Sequence, residues 1–162
     1  MIWETQINRL VAFGRGRILF STFFMAISFD ELIARENNRF LDFDGKFGYQ
    51  CVDLLRVYLR DVLGTSPYAL APVTYAKELY KKFNPTTPFI RITNTPTGIP
   101  RKGDIIVWDF YPFVTGWAGH VGIFVEGNVN TFISFDQNYP TGRPCQMVKH
   151  SYRGVLGWLR KK

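Results

Sequence analysis

Cysteine is scarce in this chain, with two in 162 residues. Two thiols cannot staple a fold of this length, so a disulfide scaffold is excluded. Histidine is equally rare, again two, and no Cys/His spacing suits zinc. No apolar run approaches the ~18 residues of a membrane span. No segment repeats, and no Gly-rich loop of the phosphate-cradling kind occurs, which argues against a nucleotide enzyme. Acid is the minority charge: 13 Asp and Glu against 20 Lys and Arg leave a net +7. That surplus predicts attraction to anionic surfaces such as nucleic acid, acidic lipid or a phosphate-rich wall polymer. Aromatic residues are abundant at 17%, and hydrophobic residues reach 46%. Such a composition excludes a disordered chain and suffices for one buried core.

The opening residues read differently from the rest. Arg9, Arg15 and Arg17 precede an apolar stretch from Ile18 to Phe24, an arrangement partly like a secretory signal but without a convincing small-residue cleavage site. Met25 offers an alternative start. The expected organisation is therefore an extension over 1–24 and a single domain over 25–162. Ser28-Phe29-Asp30-Glu31 is a capping box opening a helix to about Asn37. Apolar residues at 52, 55, 58, 59 and 62 give Tyr49 to Leu63 a helical period, ended by Gly64. Thr74 to Phe83 predicts another helix, stopped by Asn84-Pro85. Strand patterns follow at Phe89–Ile92, Asp104–Asp109, His120–Glu126, Thr131–Gln137 and Val155–Leu159. Helices first and strands second predict an α+β fold, with N-terminal helices packed on a small antiparallel sheet.

Cys51 falls in the first turn of the second helix, where unpaired N–H groups and the macrodipole favour a thiolate. Cys145 has no such setting and is assigned no role. A catalytic thiol needs a histidine and a group to orient it. His120 opens a strand and Asp136 ends the next. Keeping apolar residues on a common face pairs Val121 with Phe135, Ile123 with Ile133 and His120 with Asp136. Base and acid then stand side by side on one face, with Asn138 two residues further on. His150, among Lys149, Ser151, Tyr152 and Arg153, reads as a surface residue.

Four runs now converge: Gly48-Tyr49-Gln50-Cys51-Val52-Asp53, Gly103-Asp104-Ile105-Ile106-Val107-Trp108, Gly119-His120-Val121 and Asp136-Gln137-Asn138. In this order they resemble the CHAP domain, the cysteine/histidine amidohydrolase-peptidase module of phage endolysins and bacterial wall hydrolases. The resemblance spans residues ~28 to 159. It implies a papain-like (NlpC/P60-type) α+β fold and cleavage of an amide bond in peptidoglycan. The bond would be that of an N-acetylmuramoyl-L-alanine amidase or of a stem- or cross-bridge endopeptidase. It carries over Cys51 as nucleophile, His120 as general base, Asp136 as orienting acid and Asn138 as supporting polar residue. Gln50, beside the thiol, is a candidate oxyanion donor together with the Cys51 backbone N–H. The family's endolysins often have Glu where this chain has Asp136, and the shorter acid reaches less far.

Asp42, Asp44, Lys46, Gly48 and Asp53 fall at positions 1, 3, 5, 7 and 12 of an EF-hand-like calcium loop. Phe47 replaces the usual Gly at position 6, Asp53 replaces Glu, and Lys46 and Gly48 could give only backbone carbonyls. Some endolysin CHAP domains carry a similar loop just before the cysteine, so Ca²⁺ is the expected ion, structural or activating, with no organic cofactor. Among the aromatics Trp108, Tyr111, Phe113 and Trp117, together with Tyr139, the candidate substrate-binding residues are Trp117, Tyr139 and Trp108. The resemblance implies a monomer acting on bacterial peptidoglycan and teichoic-acid-bearing walls, phage-encoded or secreted. Two other readings stay open. One is a non-catalytic binder of an anionic wall or nucleic acid, disfavoured because Lys and Arg are dispersed. The other is a cysteine amidase of a small metabolite.

Overall fold

Ser28 opens the first helix as its sequence demands. Its hydroxyl accepts from the Glu31 N–H at 3.2 Å, and Glu31 Oε2 accepts from the Ser28 N–H at 2.7 Å. This is a complete capping box on α1 (Phe29–Glu36). The computed structural model describes residues 26–70, 72–112 and 115–162. The expected extension over 1–24, the alternative start at Met25 and the aromatic Phe113 lie outside the described residues. α2 (Cys51–Asp61) buries Leu54, Leu55, Val57, Tyr58 and Leu59 along one flank, and Gly64 follows in a left-handed conformation at φ 60°. Among the described residues no helix is long and apolar enough to cross a membrane.

The strands are β1 (Phe89–Thr93), β2 (Ile105–Trp108), β3 (His120–Gly127), β4 (Thr131–Asp136), β5 (Gln146–Ser151) and β6 (Val155–Lys161). They form one sheet in the order β1-β6-β2-β3-β4-β5, antiparallel at each pairing. One face, with Ile105, Val107, Val121, Ile123, Phe135 and Leu159, packs with α2 in the main core. The other carries Ile106, Trp108, Phe124, Phe132, Val155 and Trp158. The fold is the expected α+β class.

Three local expectations need correction. Helix α3 is confined to Glu78–Lys81, against an expected Thr74 to Phe83. The Lys77 N–H is drawn off to the Ala118 carbonyl at 3.1 Å. Glu78 Oε2 accepts from the Thr74 and Tyr75 N–H groups at 3.0 and 3.3 Å, so 74–77 are held as turns. Strand β5 was not expected at all. Its inward residues alternate weakly, Gln146 and Val148 half-buried and His150 buried, a pattern without the usual β-branched or aromatic richness. The β3–β4 register also differs. Ile123 pairs with Phe135 and Phe124 with Ser134, and a bulge follows before Glu126 pairs with Ile133. Asn128 is the cause: its Oδ1 accepts from the Asn130 and Thr131 N–H groups at 2.8 and 3.1 Å. This Asx turn moves the reversal toward the C-terminus. The shift is by two positions near the site, so every side chain keeps its face.

Immediately after β4, Gln137 is fully buried and straps the sheet to the loop preceding α2. Its Nε2 donates to the Leu41 and Gln50 carbonyls at 2.8 and 2.7 Å. Its Oε1 accepts from the Leu41 N–H at 2.7 Å and faces the Cys145 thiol at 3.1 Å. Gln137→Ala strands several of these groups without a partner, at ~1–3 kcal/mol for each that stays dry. The variant is expected to lose about 3 kcal/mol in chemical denaturation; an unchanged midpoint would show that the strap carries no stability.

Candidate active site

Cys51 is the first residue of α2 and is half-buried. The helix presents its first-turn N–H groups, which helical bonding leaves unused, around that position. Asp53 steadies this end, accepting from the Gln50 N–H at 2.8 Å. Across from the thiol stands His120, the first residue of β3 and buried. The Cys51 sulfur lies near enough to favour a proton on the His120 imidazole.

Continuing the observed register sets Gly122, not His120, against Asp136. Acid and base are therefore diagonal neighbours on one face, close enough to meet. Gly122 matters here for space: a Cβ at that position would run into Asp136 Oδ1. His120 Nε2 stands 3.4 Å from Asp136 Oδ2 and has no well-directed hydrogen bond. Because Nε2 faces the acid, Nδ1 is the nitrogen left for the thiol. Trp108 and Tyr139 flank the imidazole, their ring centroids 5.2 and 5.0 Å away.

The same Asp136 oxygen receives a second imidazole. His150 Nε2 lies 2.6 Å from Asp136 Oδ2, and the His150 side chain is only 3% exposed. The surface position expected for His150 is thus wrong. The polar run around it belongs to an unexpected strand whose inward face it occupies. The only sequence signal was a histidine in step with Gln146 and Val148.

Electrostatics follow from this burial. Burial alone would discharge Asp136, but the neighbouring imidazoles of His120 and His150 outweigh it and bring the carboxyl down to about 2. Burial likewise disfavours a charged His120, yet Asp136 and the Cys51 sulfur together raise its imidazole to about 10. Both shifts favour a charged imidazole beside a charged carboxylate. By contrast, burial pushes the Cys145 thiol up to about 12, so that buried cysteine is inert at neutral pH.

Gln50 and Asn138 form a polar bridge beside Cys51. Asn138 Nδ2 donates to Gln50 Oε1 at 3.2 Å, and Gln50 Nε2 donates to the Phe47 carbonyl at 2.6 Å. Asn138 holds a left-handed backbone, φ 60°, which Asn tolerates better than most residues. Trp108 is 1% exposed and lies under the two imidazoles. It cannot wall a groove, which corrects its expected place among substrate-binding residues. Trp117 is 68% exposed, with Lys77 Nζ 4.3 Å from the ring centre. A groove of about 550 Å³ runs past Cys51 between Asp44, Phe47 and Arg56 on one side and Thr74 and Tyr75 on the other.

The loop before α2 brings Asp42, Asp44 and Asp53 together, one oxygen of each lying within 4.8 Å of the others. Lys46 and Gly48 flank these acids in the loop, with no side-chain oxygen to offer. Arg56 pairs with Asp44 and stands 4.0 Å from Asp53. Burial raises the Asp53 carboxyl above its usual range, and Asp44 adds to the effect. Three converging carboxylates offer the hard oxygens that Ca²⁺ prefers, with the Arg56 guanidinium competing for Asp44. Phe47, at the position where an EF-hand loop has glycine, takes that left-handed conformation at φ 63°. For a residue with a Cβ this costs about 1–2 kcal/mol.

No protein-family model matches the chain. Over 141 residues it is 26% identical to endolysin PlyTW of Staphylococcus phage Twort, an alignment covering 81% of this chain and 29% of that protein. Among solved structures, endolysin LysIME-EF1 superposes with a TM-score of 0.65 at 26% identity, over 85% of this chain and 65% of that one. Ly7917, solved with the hydrolyzing product of MDP, gives a TM-score of 0.62 at 16% identity over 82% and 60%. That third likeness is one of fold. The chain spans less than a third of the curated relative it matches and under two thirds of each solved chain. The chain resembles a phage endolysin in sequence, and endolysin LysIME-EF1 in sequence and in its α+β fold.

The shifted acid and base set opposite limits on stability. Asp136 ionises more readily folded than unfolded, so its contribution is present above the ~3.9 of a free Asp and is lost as pH falls toward about 2. His120 binds its proton more tightly folded. Its contribution is full below ~6.5 and is lost as pH rises through about 10. The Tm advantage of wild type over His120→Gln is therefore expected to shrink between pH 7 and 10. A constant difference across that range would contradict a raised His120.

Proposed function

We propose that this chain is a cysteine-dependent peptidoglycan hydrolase of the CHAP type, cleaving an amide bond of the wall peptide. One observation carries the reading. A half-buried cysteine heads a helix at the edge of a groove, near a buried histidine–aspartate pair, in a chain similar to endolysins. The bond broken is that of an N-acetylmuramoyl-L-alanine amidase or of a stem- or cross-bridge endopeptidase.

The chemistry is acyl transfer. The Cys51 sulfur attacks the amide carbon, and the carbonyl oxygen gains charge beside the Cys51 N–H and the second Nε2–H of Gln50. His120 gives its Nδ1 proton to the departing amine. Water then attacks the thioester with His120 as base, releasing the acid and restoring the thiol. Asp136 holds the imidazole and stabilises its charge throughout, while Asn138 steadies Gln50. Trp117 and Tyr139 contribute aromatic surface to substrate binding. Asp42, Asp44 and Asp53, aided by the carbonyls of Lys46 and Gly48, would hold Ca²⁺. The ion would supply positive charge bracing the loop that carries Cys51. It would have to share Asp44 with Arg56.

Cys51→Ala is expected to abolish clearing of a Gram-positive wall suspension, by at least 10³-fold, with Tm within a few degrees of wild type. Full clearing by that variant would refute the assignment. Iodoacetamide should stop the enzyme in the same assay, whereas a simple binder of anionic polymer would be indifferent to it. For the ion, EDTA should lower both Tm and clearing rate, and added Ca²⁺ should restore them. A protein unaffected in both respects has no calcium site.

A further inference from the structure

The proposed mechanism uses one of the two histidines, yet the acid is bound more closely by the other. Asp136 Oδ2 is 2.6 Å from His150 Nε2 and 3.4 Å from His120 Nε2. A carboxylate only accepts, so His150 Nε2 carries the hydrogen of that bond. Asp136 Oδ1 has no partner and lies over Gly122, so the His150 bond is the one short hydrogen bond orienting the acid. The His150 ring is itself fixed, with Trp108, Tyr139 and Phe132 ring centres 5.0, 4.8 and 5.5 Å away. The titratable groups facing it are Asp136 from β4, His120 from β3 and Tyr139 from the connection after β4.

We propose that His150 is a positioning residue of this site, donating Nε2–H to Asp136 so that the short acid stays ionised and aimed at His120. The proposal rests on the hydrolase reading for its purpose. The need for it follows from reach: an Asp held by His120 alone would keep one contact at 3.4 Å and an otherwise unpartnered buried charge. His150 supplies from the neighbouring strand what the side chain lacks in length. It touches neither thiol nor substrate and acts only through Asp136.

The test compares His150→Phe, which keeps a ring and removes the donor, with His150→Gln, which returns an N–H near the same place. His120 is followed in each by NMR of labelled imidazole across pH, alongside the rate of wall clearing. The expected result is a His120 titration midpoint at least one pH unit lower in His150→Phe, with clearing at least tenfold slower, and recovery of most of both in His150→Gln. A midpoint that stays put or rises in folded His150→Phe overturns the proposal. Should that variant not fold, wild-type ¹⁵N spectra decide. Between pH 5 and 8 the His150 Nε2 must be protonated and hydrogen-bonded, and a bare Nε2 overturns it. A wild-type protein that clears no wall sinks the hydrolase reading and leaves the His120 titration to judge His150.

Discussion

An ionised carboxylate sealed from water stands at the centre of this molecule. Isolated, such a group costs several kcal/mol to bury, and Asp136 has no solvent exposure. The strands around it are arranged to offset that cost. β3 supplies one imidazole and β5 another, both directed at the same oxygen. β3 also supplies Gly122, whose missing side chain is the space the carboxylate fills. Trp108 from β2 lies against both imidazoles. The charge held there is balanced by the His120 imidazolium, which in turn faces the thiol at the head of α2. The surroundings of Cys51 are thereby tied to the integrity of a four-strand face.

The next residue links the other half of the site. Consecutive strand residues point to opposite faces, so Asp136 turns to the histidines while Gln137 turns toward the loop before α2. Its carboxamide bonds the Leu41 backbone and the Gln50 carbonyl, fixing the entry into the helix that begins at Cys51. Two adjacent side chains thus place His120 and Cys51 relative to each other, one from each face of the same strand end. Asn138 completes the corner through Gln50.

Local chemistry was readable where short-range rules decide the outcome. The Ser28 box, the period of α2 and the face shared by His120 and Asp136 all follow from spacing. The face was legible even though the register was not, because an error of two positions preserves parity. Longer-range events escaped. The Asn128 turn moved the β3–β4 pairing, and Ala118 captured the Lys77 N–H and shortened α3. β5 is stabilised by pairing with β4 rather than by its own propensity, so nothing in its composition announced His150. A histidine between a lysine and a serine looks solvated until a neighbouring strand buries it. Trp108 was misplaced for the related reason that side chains just before a loop can still belong to the core.

The charge distribution separates two tasks that the net +7 conflates. Near the nucleophile the chain is acidic: Asp42, Asp44 and Asp53 converge, and Arg56 is their near counterion. Lys46 and Arg56 line the groove beside these acids, and the rest of the basic surplus lies elsewhere in the chain, where under the proposed function it would favour an anionic polymer. If Cys51 acts as proposed, crowding three carboxylates near it would be a liability were they left unbalanced, since negative potential opposes a thiolate. Arg56 relieves part of it through Asp44. A divalent cation in the same loop would relieve the rest, and it would stiffen the segment in which Phe47 already holds a conformation usually left to glycine. Under the proposed function the acidic loop and the basic remainder would serve one end, the loop bracing Cys51 and the remainder favouring an anionic polymer.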